Sequence, residues 1–255
     1  MKVKSVLRQI STAAMLSTVA VALALPGSAS AQIVSGWIGP AGPNGNGVYF
    51  LHQSSINNAP LVASSKIYTV TGTNVAPGDI GVRARLFKSG ALCEAINYQY
   101  NFDPTPQLEL GTTATCGSGS YNSHGFVAVW NGTNSYTEYV TFPSNPLNYT
   151  APAARSAPAN IEVKSGTNAR GQSFGSGETS DPKAQLPDLI AAIGTNGTVG
   201  YIRSAELGGP AANPAAVSAL PTATVDGQKV YSSASKSVPL YSEDGVTQVG
   251  TFELK

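Results

Sequence analysis

The chain has little charge and few of the residues that hold metal ions. Only 11% of its 255 residues are charged, and it contains two cysteines and two histidines. A nucleic-acid surface needs a concentrated basic face, so we expect no nucleic-acid partner. A metal site needs several Cys, His, Asp or Glu ligands at suitable spacing, and no such cluster or nucleotide-binding glycine loop is visible. We therefore expect neither a metal nor a cofactor.

Long apolar runs are also scarce. Three basic residues precede the apolar run from Ala13 to Leu25, and Ala29-Ser30-Ala31 then supplies an A-x-A cleavage site. The run is too short to span a membrane, so the pattern predicts a secretory signal peptide over residues 1–31. We expect an exported mature chain that is secreted or extracellular, with the cell wall as an open alternative, and that has no membrane span. Without residues 1–31 its net charge is about −2, which gives no electrostatic reason to bind nucleic acid.

The two cysteines, Cys93 and Cys116, predict one disulfide. Exported chains meet an oxidising environment, where paired cysteines are the usual state. A bridge that closes a loop of this length stabilises the fold by roughly 3 kcal/mol in the chain-entropy description.

Abundant turn residues, 27 Gly and 17 Pro, separate short runs of β-branched and aromatic residues. This composition is typical of exported proteins with many short strands. The sequence predicts a mainly β protein in which an antiparallel sandwich or barrel is followed by a small hairpin-rich module with one short helix. We expect a disulfide-bridged domain at 32–148, a Pro/Ala/Ser linker at 149–160 and the small β module at 161–255.

Two dipeptides mark hairpins in the C-terminal part. Asn196-Gly197 and Asp244-Gly245 each lie between two apolar runs, and both suit type I′ turns. The helix is predicted at Asn213–Leu220, because Pro214 fits a first helical turn.

The C-terminal part also resembles a known module. The residues from Asn168 to Ser176, from Pro187 to Leu207 and from Val238 to Phe252 are similar to the ordered motifs of a small accessory module of Gram-positive bacterial exported proteins. That module also occurs as a C-terminal extension of β-lactam-sensor-type membrane metallopeptidases. The resemblance implies an exported accessory role but no activity, because the H-E-x-x-H motif of those peptidases is missing here.

The N-terminal part more faintly resembles uncharacterised actinobacterial secreted proteins. The similar stretches are Gly81–Phe87, Leu92–Cys93, Tyr98–Asn101 and Cys116–Tyr121. This resemblance implies no function.

Aromatic residues supply the candidate binding site. Tyr98 and Tyr100 lie two residues apart and would share one face of a strand, with Tyr121 and Trp130 further along the chain. Aromatic rings stack on ligands and neighbouring amides form hydrogen bonds, which suits recognition of a glycan or peptide. Alternate aromatics also fill sandwich cores, so packing is the competing interpretation.

Enzymatic chemistry has weaker candidates. His124 could act as a base for Ser118, Ser120 or Ser123, but a solvated loop or rim histidine is the preferred interpretation. Gly171–Gly175 matches the G-x-S-x-G nucleophile pattern, but both histidines precede its serine, against the order of that fold. The sequence therefore favours a non-enzymatic binding module that recognises a cell-wall glycan or an extracellular protein. An exported hydrolase using His124 and a secreted toxin-like or inhibitor protein are the alternatives.

Overall fold

Strands form nearly all of the regular structure. The computed structural model describes residues 31–152, 161–181 and 183–255. The predicted signal peptide, apart from Ala31, and most of the predicted linker lie outside these residues. Within them the chain is mainly β, its sheets are largely antiparallel and it has a single short α-helix, which confirms the predicted fold class.

The range 31–152 contains thirteen strands. They are β1 (Ile33–Ser35), β2 (Gly39–Ala41), β3 (Phe50–Asn58), β4 (Leu61–Thr69), β5 (Ile80–Arg83), β6 (Arg85–Lys88), β7 (Ala91–Ala95), β8 (Gln99–Asn101), β9 (Gln107–Gly111), β10 (Gly119–Ser123), β11 (Phe126–Trp130), β12 (Tyr136–Val140) and β13 (Leu147–Tyr149).

The two later described ranges contain the remaining elements. They are β14 (Gly166–Thr167), β15 (Ser173–Gly175), β16 (Leu189–Ile193), β17 (Val199–Arg203), a 3-10 helix (Ser204–Leu207), α1 (Pro214–Ser218), β18 (Thr222–Val225), β19 (Gln228–Ser232), β20 (Lys236–Tyr241) and β21 (Gln248–Leu254).

The strands pair into three sheets. The first sheet has the order β1-β3-β4-β9, with β2 also paired to β3. The long sheet has the order β13-β10-β6-β7-β21-β20-β17-β16-β15-β14, and the third sheet has the order β12-β11-β5-β8-β19-β18. In β3 and β4 every second side chain is buried, as expected for a sheet with one face on the core.

Two neighbouring segments of the chain each connect the third sheet with the long sheet. Ala84 alone separates β5 from β6, and His124 with Gly125 separates β10 from β11. A side chain at Gly125 would place its Cβ 2.2 Å from the Arg83 carbonyl oxygen, so this crossing point requires glycine. The regular alternation over residues 80–87 predicts one strand with a polar face, whereas Arg83 and Arg85 are both buried at the crossing.

The two segments predicted as separate domains share sheets. Strand β7 pairs with β6 on one edge, and its other edge pairs with β16 at Leu92 and with β21 at Ala95. Strand β8 likewise pairs with β19. Residues 31–255 therefore form one compact unit, which differs from the predicted boundary at residues 149–160. Linker composition is a local signal, and it carries no information about strand pairing across the chain.

The predicted disulfide joins Cys93 in the middle of β7 to Cys116 before β10. Glu94, the next residue of β7, is buried and accepts hydrogen bonds from the backbone N–H groups of Thr113 and Ala114. Its carboxylate also lies 3.1 Å from the Lys255 ammonium. The disulfide and Glu94 together hold the β9–β10 connection against the central strand.

The predicted hairpins and helix form, but with different turns. Asn196 and Asp244 do not have positive φ, because the connections there contain more than the two residues that a type I′ turn allows. Two-residue turns with positive φ at both positions occur instead at Ser89-Gly90 and Asp226-Gly227. Helix α1 begins after Asn213, whose side chain accepts a hydrogen bond from the Ala216 N–H.

None of the helices in the described ranges is long and apolar enough to cross a membrane.

The shared sheets predict that neither half folds alone. We expect residues 31–255 to unfold in one cooperative denaturant transition. A fragment of residues 31–152 should show no cooperative transition, because one edge of β7 and one edge of β8 would lack their strand partners. Urea titrations followed by circular dichroism measure this. A fragment that unfolds sharply by itself would contradict the shared architecture.

Candidate functional site

A pocket of about 410 Å³ lies between the third sheet and the segment from the 3-10 helix to α1. Its walls include Tyr98, Tyr100 and Arg83 from the region of β5 and β8. Leu207 and Ala216 line the opposite side, and Lys236 lies at the start of β20. We call this cavity the tyrosine pocket. Its volume is in the range of small-molecule sites.

Strand pairing positions the two tyrosines. Tyr100 lies opposite Gly81 of β5, where a Cβ would approach the Tyr100 ring to 2.7 Å, so glycine makes room for the ring. The Tyr98 and Tyr100 ring centroids are 5.9 Å apart, which confirms the expected shared face. The Tyr98 hydroxyl donates a hydrogen bond to the Glu138 carboxylate at 2.6 Å, and the Tyr100 hydroxyl accepts one from the Ala211 N–H at 2.6 Å.

Both tyrosines are almost completely buried, with 4% of Tyr98 and 1% of Tyr100 exposed. Burial raises the pKa of Tyr98 well above its usual value, and the neighbouring Glu138 charge raises it further. Burial also raises the pKa of Tyr100 to about 12. The two rings are therefore neutral, uncharged walls of the pocket at physiological pH.

Arg83 is the buried cation of the site. Its Nη1 donates to the Gly208 carbonyl at 2.7 Å and its Nη2 to the Leu207 carbonyl at 2.8 Å. The guanidinium carbon lies 4.4 Å from the centre of the Tyr98 ring, in cation–π geometry. Arg83 thus ties the 3-10 helix to the sheet and places positive charge at the pocket wall.

The other two predicted binding residues lie outside the pocket. Tyr121 is fully buried beside the disulfide, where its hydroxyl donates to the Gly117 carbonyl and accepts from the Cys116 N–H. Trp130 is half-buried and contacts Tyr136, which in turn contacts Tyr100. The four residues therefore do not form one exposed aromatic face. A binding role stays a prediction for Tyr98 and Tyr100, which the pocket brings together.

His124 is enclosed at the crossing between the sheets. Its Nδ1 pairs with the Thr141 carbonyl at 2.6 Å, and its Nε2 accepts from the Thr179 N–H at 3.0 Å. Burial and the nearby Arg85 charge lower the pKa of His124 well below its usual value. Both ring nitrogens are occupied, so His124 has no free lone pair with which to take a proton from a serine.

The G-x-S-x-G match has a structural explanation. Ser173 begins β15, and its hydroxyl donates to the Asp188 carboxylate at 2.9 Å. The serine hydroxyl also accepts from the Asp188 N–H. No helix follows β15 within the range 161–181, so the strand-turn-helix arrangement of a nucleophile elbow is missing there.

A second groove, also of about 410 Å³, lies on the outer face of the first sheet beneath the Asp226-Gly227 turn. Its polar side chains bind one another. The Ser55 and Ser64 hydroxyls are 2.7 Å apart, Ser64 donates to Glu109, and Glu109 lies 3.2 Å from the Lys66 ammonium. Asp226 adds a further carboxylate to the lining of this groove.

Sequence reasoning missed Arg83, Lys236 and the 207–220 segment of the pocket. The alternation of Arg83 and Arg85 with apolar residues was the available signal, but alternating charged residues usually indicate a solvated strand face. Trp37 was also missed, although it is 81% exposed. It lies against Phe142 and is not among the residues that line the tyrosine pocket.

The chain matches no protein-family model, and no curated protein or solved structure matches it either. The resemblances described above stay predictions.

Removing the Tyr100 hydroxyl is expected to destabilise the fold. Tyr100→Phe leaves the Ala211 N–H without its partner and should lower the free energy of unfolding by about 1–2 kcal/mol. Tyr49→Phe, at an exposed tyrosine, is the matched control and should change it by less than about 0.5 kcal/mol. Urea unfolding measures both variants, and equal stabilities would contradict the hydrogen bond.

His124 should make stability depend on pH. Its folded-state pKa lies below the unfolded value of 6.5, so the unfolded chain binds the proton first as pH falls. The stabilising contribution is complete above about pH 7 and is lost as pH falls below 6.5. One such histidine adds at most about 1.4 kcal/mol per pH unit to the slope, which is the limit for one proton taken up on unfolding.

His124→Asn should remove that part of the slope. His52 makes a similar contribution, because burial lowers its pKa to about 4. His52→Asn is therefore the matched variant, and it should leave the His124 part intact. Unfolding free energies of the wild type and both variants, measured between pH 7.5 and 5, give the contribution of each histidine to the slope. An unchanged pH slope in His124→Asn would show that this histidine is not held neutral.

Proposed function

We propose that this chain is an exported, non-enzymatic binding protein and that the tyrosine pocket holds its ligand. The supporting observation is Arg83, a buried cation at the wall of a partly apolar pocket, flanked by two tyrosine rings. Pockets of this size, with apolar walls and a few oriented polar groups, are the usual form of ligand sites. The predicted signal peptide and the disulfide are the reasons for proposing that the protein acts outside the cytoplasm.

The proposed partner is a component of the cell envelope, with cell-wall material as the first candidate and an extracellular protein as the second. The hydrolase alternative loses its base, because both nitrogens of His124 are hydrogen-bonded inside the fold. A toxin-like or inhibitor role remains an alternative for the same pocket, and it differs from the proposal in predicting a protein target rather than wall material.

Retention on cell walls tests the proposal. We expect purified mature protein to sediment with insoluble peptidoglycan or whole cell walls. Ala216→Leu should reduce the retained fraction strongly, because it places a larger side chain at the pocket wall. Ala215→Leu is the matched control: it is exposed on the same helix, is not a pocket-lining residue and should behave like the wild type.

Two results would contradict parts of the proposal. Wild-type protein that stays in the supernatant removes cell-wall material as the ligand and favours a protein target. Equal retention of the wild type and Ala216→Leu places the binding surface outside the tyrosine pocket.

A further inference from the structure

Arg83 carries a buried charge without a counter-ion. Only 4% of the residue is exposed, and no carboxylate of the described residues lies within 4.0 Å of its guanidinium. Two carbonyls and the Tyr98 ring compensate part of the charge, while Nε has no hydrogen-bond partner among the described residues. Burying a cation is costly unless it is paired, so the site is electrostatically incomplete.

Other buried charges in the fold are handled differently. The Glu94 carboxylate has the Lys255 ammonium at 3.1 Å and two backbone N–H groups. Arg85 also lacks a carboxylate at ion-pair distance, but it is fully buried against the rings of Phe87 and Phe126. Arg83 differs from both because it lines a pocket, and its Nη1 donates to the carbonyl of the exposed Gly208 at the pocket wall.

The pocket around Arg83 is positive and largely apolar. Lys236 adds a second cation, and no Asp or Glu occurs among the lining residues that the structure describes. The nearby Glu138 carboxylate is held by the Tyr98 hydroxyl. Leucine and alanine side chains supply much of the remaining wall, so the pocket suits an apolar body as well as an anion.

We propose that the tyrosine pocket binds a small ligand through a carboxylate that pairs with Arg83, with the apolar part of the ligand against Leu207 and the tyrosine rings. A carboxylate fits better than a phosphate dianion, because two of the five Arg83 N–H donors already serve carbonyls and the pocket has only one other cation, Lys236. An acylated amino acid at the end of a peptide combines these features. This inference rests on the proposed function and names the ligand chemistry of the same site.

Paired acids and amides test the inference on the unmodified protein. The probes are N-acetyl-leucine and N-acetyl-alanine, each as the free acid and as the primary amide, measured by ligand-observed NMR and calorimetry. We expect the acids to bind at least about tenfold more tightly than the amides, since only the acids offer a charged partner to Arg83. The D and L series distinguish a cell-wall peptide, which contains D residues, from the end of an ordinary protein.

Variants at the two cations sharpen the test. Arg83→Gln should remove the preference for the acid. Because Arg83 also binds the 3-10 helix, the exposed Lys236→Gln supplies a second variant that should weaken acid binding several-fold without disturbing the fold. Lys183→Gln, an exposed lysine that does not line the pocket, is the matched control and should bind like the wild type.

Equal binding of acids and amides would overturn the inference, as would tighter binding of inorganic phosphate than of any acid. If no acid binds while cell walls still retain the protein and Ala216→Leu releases it, the carboxylate inference fails and the proposed function stands. If retention also fails, the carboxylate inference fails and cell-wall material is excluded as the partner.

Discussion

The fold depends on the need to pair both edges of β7. This strand is buried along its whole length, so an unsatisfied N–H or C=O group on either edge would be costly. Strand β6 pairs with one edge, and the other is completed by β16 and β21 from much later in the chain. The disulfide at Cys93 and the bonds of Glu94 fix the β9–β10 connection to the same strand. One short central strand therefore determines that the two halves share a core.

The crossing at Ala84 and Gly125 then explains the candidate site. Both chain segments change sheets there, and this brings Arg83 and Arg85 inside the protein on either side of Ala84. Arg85 donates to the His124 and Gly177 carbonyls and lies against two phenylalanine rings. Arg83 instead supports the 3-10 helix and faces the tyrosine pocket. The positive pocket is thus a consequence of how the sheets are joined.

Local sequence signals were sufficient for local structure. They predicted the mainly β fold, the Cys93–Cys116 bridge, the helix after Asn213 and the shared face of Tyr98 and Tyr100. They failed where the outcome depends on distant residues. The turns at Asn196 and Asp244 have other geometries because strand register sets their length. Nothing within Ala91–Ala95 identifies its partners, and the alternation at Arg83 looks the same on a solvated strand as on one that another segment covers.

The pairing of Ala95 with Leu254 also has a kinetic consequence. Contacts between residues so far apart in the chain close late, because the loop-closure entropy must be overcome before the pairing stabilises anything. While the chain is still emerging, one edge of β7 has no partner and the core beside it cannot close. Such topologies fold slowly, and a slowly folding chain stays unfolded for longer. For the export that we propose, high contact order would keep the chain unfolded until its C-terminal strands have been made.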